Sequence, residues 1–184
     1  MKYIFSVLLL SCVISAKAQL SACLSADEKR LYDLIMEYRS EKGLRSIPLS
    51  LSLTYVAQVH AKDLHENRPD QGDCNMHSWS PKGKWTACCY TADHKQAQCM
   101  WNKPKELTSY PGYGYEISSG STADMTPEAA LNLWKNSTGH NNVIINGAMW
   151  RKEWNAIGIG VYGHYAVVWF GHETDPAGKV NECR

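Results

Sequence analysis

The 184-residue sequence has no excess of charge of one sign, no long apolar run and only two phenylalanines. Nineteen Lys and Arg face eighteen Asp and Glu, a formal net charge of +1, so bulk electrostatics attract neither nucleic acid nor an anionic membrane. The main apolar run, Tyr3 to Ile14, falls short of the roughly 20 residues that a spanning helix needs, and polar sequence follows it. That excludes a transmembrane anchor from the expectations. No cysteines stand at C-x-x-C spacing, and neither H-E-x-x-H nor G-x-S-x-G occurs. The usual sequence grounds for a zinc knuckle, a zinc protease or a hydrolase nucleophile elbow are therefore missing. There is no internal repeat and no low-complexity segment.

What is present fits one exported globular domain. A hydrophobic fraction of 44% with 20% charged residues is an ordinary balance for a single core. Lys2, the apolar run and the small-x-small pattern Ala16-Lys17-Ala18 predict a signal peptide over residues 1–18, with the mature domain spanning 19–184. Leu20-Ser21-Ala22-Cys23 also resembles a bacterial lipobox, which would make lipoprotein anchoring at Cys23 the alternative to free secretion. Removing residues 1–18 takes Lys2, Lys17 and Cys12, leaving 17 basic against 18 acidic side chains and six cysteines: Cys23, Cys74, Cys88, Cys89, Cys99 and Cys183. An even number in an exported chain predicts three disulfides. The neighbours Cys88 and Cys89 are too close to pair well with each other. We expect Cys23 to join Cys183 and the other four to staple the loop between them, although six cysteines allow 15 connectivities.

In chain order, Ser25 and Glu28 form a capping box before a helical stripe of Leu31, Leu34, Ile35 and Tyr38 that Gly43 ends. A second helix starts near Ser50, with Leu53, Val56, Ala57, Ala61 and Leu64 on one stripe and Pro69 beyond it. His60 falls on that stripe, as a hydrogen-bonded core residue would. From about 70 to 114 the periodicity stops, and four cysteines with Trp79, Trp85, Tyr90, Trp101, Tyr110 and Tyr113 populate a long loop. Thr126-Pro127 opens a third helix with Ala130, Leu133 and Trp134 inward. Ile157–Val161 alternates with a period of two and His164–Gly171 is rich in β-branched and aromatic residues, the two strands of an antiparallel hairpin turning at Gly163.

Trp134 to Val143, W-K-N-S-T-G-H-N-N-V, concentrates the chemistry. Ser137 is expected to end the third helix, Gly139 to turn the chain and His140 to be presented before the next apolar run. Two other landmarks carry titratable groups beside aromatics: Cys74-Asn75-Met76-His77-Ser78-Trp79 and the Gly112-Tyr113-Gly114-Tyr115-Glu116-Ile117 turn.

The order of these motifs over residues 27–172 resembles the CAP superfamily. These are the cysteine-rich secretory proteins, venom antigen-five allergens and plant pathogenesis-related proteins, with an SCP-like extracellular domain, and W-x-x-S-x-G-H is most similar to the bacterial-like branch. The resemblance implies an α+β fold, a three-layer α-β-α sandwich with an antiparallel sheet and, here, a disulfide-stapled long loop. It also implies a cavity lined by two histidines and two glutamates. By motif these positions are His77, Glu116 and His140, with Ser137 where the second glutamate would stand. Gly163-His164-Tyr165 looks like the family's G-H-Y signature but follows the I-G-I-G strand instead of preceding it, so His164 is read as a strand residue.

His77, His140 and Glu116 in one cleft can hold zinc or another divalent cation; alternatively, the carboxylate orients an imidazole by a hydrogen bond. A secreted hydrolase would add Ser78 or Ser137 as nucleophile, or use the metal. The ten tyrosines and seven tryptophans suit a binding surface. Family members bind sterols, other lipids and proteins, so the leading expectation is an extracellular binding module for a lipid, a sterol or a protein partner. Asn136-Ser137-Thr138 is also an N-glycosylation sequon.

Overall fold

The computed structural model describes residues 20–184; the expected signal peptide lies outside the described residues. In chain order the elements are β1 (Cys23–Leu24), α1 (Ala26–Glu41), α2 (Leu51–Asn67), α3 (Ala97–Trp101), α4 (Lys103–Leu107), β2 (Gly114–Gly120), α5 (Pro127–Lys135), α6 (Thr138–Ile144), β3 (Ala156–Tyr162), β4 (Tyr165–Gly171) and β5 (Asn181–Glu182). Strands β2, β4 and β3, in that order, form an antiparallel sheet. Helix α2 covers one face through Leu53, Val56, Ala57 and Leu64, which pack with Ala156, Val167 and Trp169. Helices α1, α5 and α6 cover the other with Leu31, Ile35, Ala130, Trp134 and Ile144 against Ile117, Ile157, Val168 and Phe170. This is the expected α-β-α sandwich, because alternate strand residues supply two apolar faces and each must be buried.

The caps lock the layers together. Ser25 Oγ accepts from Glu28 N at 3.2 Å, and Glu28 Oε2 accepts from Ser25 N at 2.8 Å. The same buried carboxylate accepts from Gln58 Nε2 at 2.9 Å on α2 and from Val161 N at 3.2 Å on β3. A capping box thus becomes a joint between three elements. At the start of α2, Ser50 Oγ accepts from Leu53 N at 2.9 Å, while Asp175 accepts from Ser50 Oγ, Ser52 N and Ser52 Oγ. Glycines let α2 lie close on the sheet: a Cβ on Gly158 would sit 2.0 Å from the carbonyl carbon of Leu53, and one on Gly160 2.3 Å from that of Ala57.

Three disulfides form: Cys23–Cys183, Cys74–Cys89 and Cys88–Cys99. The first closes the ends beside the parallel β1–β5 pair. Cys23 uses its sulfur there, so this disulfide and lipidation at the same sulfur exclude each other. The other two staple the long loop, which is not structureless: it contains α3, α4 and a bridge between Trp79 and Cys88. Both helices are only five residues long, too short to show a period.

Four expectations need correction. Gly139 does not turn the chain and Ser137 does not end a helix: α5 stops at Lys135, Ser137 is the N-cap of α6, and Gly139 and His140 lie within α6. Thr138-Gly139-His140-Asn141 has weak intrinsic helix preference, and packing of Val143 and Ile144 into the core holds it helical. Leu133 is 48% exposed, and Leu131 takes its inward place because Pro127, Ala130, Leu131 and Trp134 follow the helical period. Glu116 lies within β2, a strand hidden in the sequence by its Gly and Ser residues.

The helical placement of Gly139 is open to a direct test. Nothing lies within 4 Å of a Cβ there, so Gly139→Ala should stabilise the protein by about 0.5–1 kcal/mol. Gly158→Ala should destabilise it by about 1–3 kcal/mol or more through overpacking. Denaturant unfolding of the oxidised protein measures both; a destabilising Gly139→Ala would mean that the residue turns the chain after all.

Candidate functional site

Strand β2 places Glu116 on the α2 face of the sheet, where its side chain is fully enclosed. A buried carboxylate is costly unless its oxygens find donors, and two imidazoles supply them. His60 Nδ1 lies 2.5 Å from Glu116 Oε2, and His77 Nδ1 lies 2.6 Å from Oε1. His60 Nε2 faces the Ser78 carbonyl at 2.9 Å. Since a carbonyl can only accept, Nε2 carries a proton, and a second proton must lie between Nδ1 and Oε2. The result is a charge-assisted hydrogen bond inside the protein.

The loop that presents His77 is pinned to α2. Asp63 Oδ2 accepts from Ser80 N at 2.9 Å and Oδ1 from Ser80 Oγ at 2.5 Å. Ser78 Oγ accepts from Tyr90 N at 2.8 Å, and Tyr90 O accepts from Asn75 N at 2.8 Å. Trp79 stacks on His60 with centroids 4.1 Å apart and planes 7° from parallel. Tyr90 meets His77 edge-on at 5.1 Å. Buried Lys103 donates from Nζ to Glu106 at 2.6 Å and to the Thr86 carbonyl, and lies 5.4 Å over Trp79.

His140 comes from α6, half-buried, and has no hydrogen-bond partner among the described residues. Burial, then the nearby His77, push its imidazole below the ordinary value; Glu116 opposes them. It is thus a neutral lone-pair donor at neutral pH. Burial raises the Glu116 carboxyl, but His60, by charge and bond, and then His77 outweigh it and hold the group below the ordinary range. His77 is oriented through Nδ1, leaving Nε2 as its free nitrogen.

The structure thus brings His77, Glu116 and His140 into one electrostatic neighbourhood and adds His60, expected only as a core residue. Its place on the apolar stripe of α2 was the available signal, because a buried imidazole requires partners. Nothing in sequence spacing pointed to Glu116 as that partner. Ser137 makes no side-chain cap bond, and neither its hydroxyl nor that of Ser78 bonds a histidine among the described residues. His164 lies in the β3–β4 turn, its Nε2 3.9 Å from Asp124 and its ring 5.1 Å from that of His65. Of the loop aromatics, Trp79, Tyr90 and Tyr110 are buried in packing, whereas Tyr113 is exposed. Two cavities over the stapled loop, about 440 and 450 Å³, are lined by none of His60, His77, Glu116 and His140.

An α-β-α sandwich with a histidine-clamped carboxylate and a disulfide-stapled loop defines a CAP-type domain. The model of the cysteine-rich secretory protein family matches residues 32–170, and the chain belongs to that family. Similar solved structures share the fold. An extracellular protein containing an SCP domain from Bacillus anthracis is 20% identical over 80% of this chain and 40% of its own, with a TM-score of 0.55. An outer surface protein from Borrelia burgdorferi is 22% identical over 79% and 91%, TM-score 0.52. A cysteine-rich secretory protein from Staphylococcus aureus is 17% identical over 80% and 39%, TM-score 0.51. This chain spans about two fifths of the Bacillus and Staphylococcus chains. Among curated proteins, none matches it.

The two shifts predict acid sensitivity. His140, depressed in the fold, contributes stability that is full above about 6.5 and is lost as pH falls through its folded value. Glu116, also depressed, contributes stability present above about 4.5 and lost at still lower pH. Unfolding free energy measured from pH 8 to 2 should therefore fall in two stages. His172, also depressed by burial, contributes to the upper stage as well, so His140→Gln should shrink that stage without abolishing it; if the stage is unchanged, His140 is not one of its sources.

Proposed function

We propose that this chain is an extracellular binding module whose His77–His140 cleft holds its ligand, with a divalent cation, zinc foremost, as the group this chemistry fits. The observation that carries the reading is Glu116 gripping His77 Nδ1 at 2.6 Å. A carboxylate on one imidazole nitrogen fixes the ring and leaves the other nitrogen as a ligand, the arrangement common behind metal-bound histidines. Glu116 acts as orienter because both of its oxygens are engaged. Among the described residues no three His, Cys, Asp or Glu side chains form a ready ligand group. The cation would rest on His77 and His140, with further positions left to water or to the bound partner, for which it would supply an electrophilic centre.

Three disulfides suit an oxidising, extracellular setting. No helix among the described residues is long and apolar enough to cross a membrane. Two similar structures are of an extracellular and an outer surface protein, which agrees with secretion. The partner is a lipid, a sterol or an extracellular protein, for which the partly exposed Trp101, Tyr113 and Tyr115 near the start of β2 offer aromatic surface. Binding is favoured over a serine-type hydrolase because neither serine hydroxyl is hydrogen-bonded to a histidine base.

Zinc titration by calorimetry on the oxidised protein tests the reading. One ion per chain is expected, lost in the His77→Ala, His140→Ala double variant and weakened roughly 10–100-fold in Glu116→Gln. No binding by the wild type would exclude the metal. Turnover of ester or peptide substrates that disappears in the same variants would replace binding with hydrolysis.

A further inference from the structure

Where the C-terminal ends of α1 and α6 meet, a cavity of about 420 Å³ is lined by Arg39, Arg45, Arg151, Asn146 and Glu153 among others. It sets three guanidiniums against one carboxylate. Arg39 is only 2% exposed and has no acidic partner. Its Nε donates to Arg45 O at 3.1 Å, and its Nη1 donates to Ile144 O at 2.5 Å and to Asn146 Oδ1 at 2.8 Å. Its Nη2 has no acceptor among the described residues, yet is not one of the sealed polar atoms without a partner, so it reaches the cavity. Arg45 uses Nη2 alone, toward Glu153, Trp154 O and Asn155, leaving Nε and Nη1. Arg151 uses Nε toward Ala148 O and leaves both terminal nitrogens. Glu153 stands at the rim with 73% of its side chain exposed.

The carbonyls at the end of α6 explain part of this. A guanidinium at a helix C-terminus satisfies orphan carbonyls and meets favourable dipoles. The Ile144 carbonyl accounts for Nη1 and the Arg45 carbonyl for Nε, but neither accounts for Nη2 or for the convergence of two more arginines. Like charges gathered around a buried cation are unfavourable unless an anion joins them. Burial, then Arg45, push the Arg39 guanidinium down to about 10, as expected for a cation without a counter-ion.

We infer that this cavity binds a phosphate monoester, carried by a small soluble molecule or by a lipid headgroup. The side chains leave a net charge of +2, matching a phosphate dianion. The free nitrogens belong to guanidinium forks, which pair with phosphate oxygens two at a time. The volume falls in the range of small-ligand pockets, about 300–1,000 Å³, with room for more than the anion. The site is separate from the His77–His140 cleft and does not depend on it.

Glycerol 3-phosphate titrated by calorimetry probes the soluble source, and flotation with phosphatidylcholine vesicles containing phosphatidic acid probes the headgroup. Arg45→Gln and Arg151→Gln are the variants of choice, since both side chains are exposed while Arg39 also holds the end of α6. One-to-one binding to either probe is expected, weakened roughly tenfold or more in each variant and strengthened in Glu153→Gln. Binding to glycerol 3-phosphate assigns a soluble ligand; binding to the vesicles alone assigns the headgroup. No binding to either probe, or binding that both arginine variants leave unchanged, overturns the inference.

Discussion

A carboxylate enclosed by protein survives only if donors replace its water, and at Glu116 both donors are imidazoles from outside its own strand. His60 reaches it from α2 and His77 from the stapled loop, so one side chain joins a strand, a helix and a loop. Misplacing any of the three leaves a charge buried and unpaired, at a cost of several kcal/mol. The same bonds decide what the site offers to solvent. They consume both carboxylate oxygens and leave His77 Nε2 and the His140 ring without hydrogen-bond partners among the described residues.

The clamp depends on a floor that does not move. The glycines of β3 bring the α2 backbone close to the sheet, which fixes the height at which His60 stands above Glu116. The loop has less secondary structure to rely on, and other links replace it. Two disulfides shorten its free segments and reduce the entropy of the unfolded chain. Asp63 grips Ser80, and buried Lys103 ties Thr86 and Glu106 beside Trp79. The aromatic content of the loop is thus largely a matter of its stability, and only part of it remains as surface.

Short α6 serves two places at once. His140 stands in its first half, where it feels the charges of His77 and Glu116, and the Ile144 carbonyl at its end accepts from Arg39 of α1. Its helical form follows from burial of Val143 and Ile144 rather than from the preferences of Thr138, Gly139 and Asn141. His140 and an arginine-lined cavity are therefore both placed by one short helix whose position depends on the core beneath it.

The sequence by itself determined the capping box of α1, the two long amphipathic helices, the β3–β4 hairpin and the order of motifs that marks the family. These signals are local, read over a few residues by periodicity or side-chain chemistry. It also named His77, Glu116 and His140, through motif resemblance, and the tie from Cys23 to Cys183. Only the tertiary structure decided the pairing of Cys74 with Cys89 and Cys88 with Cys99, because connectivity depends on which sulfurs meet in space. It also decided that Gly114–Gly120 forms a strand, since a Gly- and Ser-rich segment takes its pairing from β4, and that Gly139 lies in a helix. The role of His60 belonged to neither periodicity nor motif: it follows from a contact across 56 positions of sequence, which only the packing of α2 on the sheet creates.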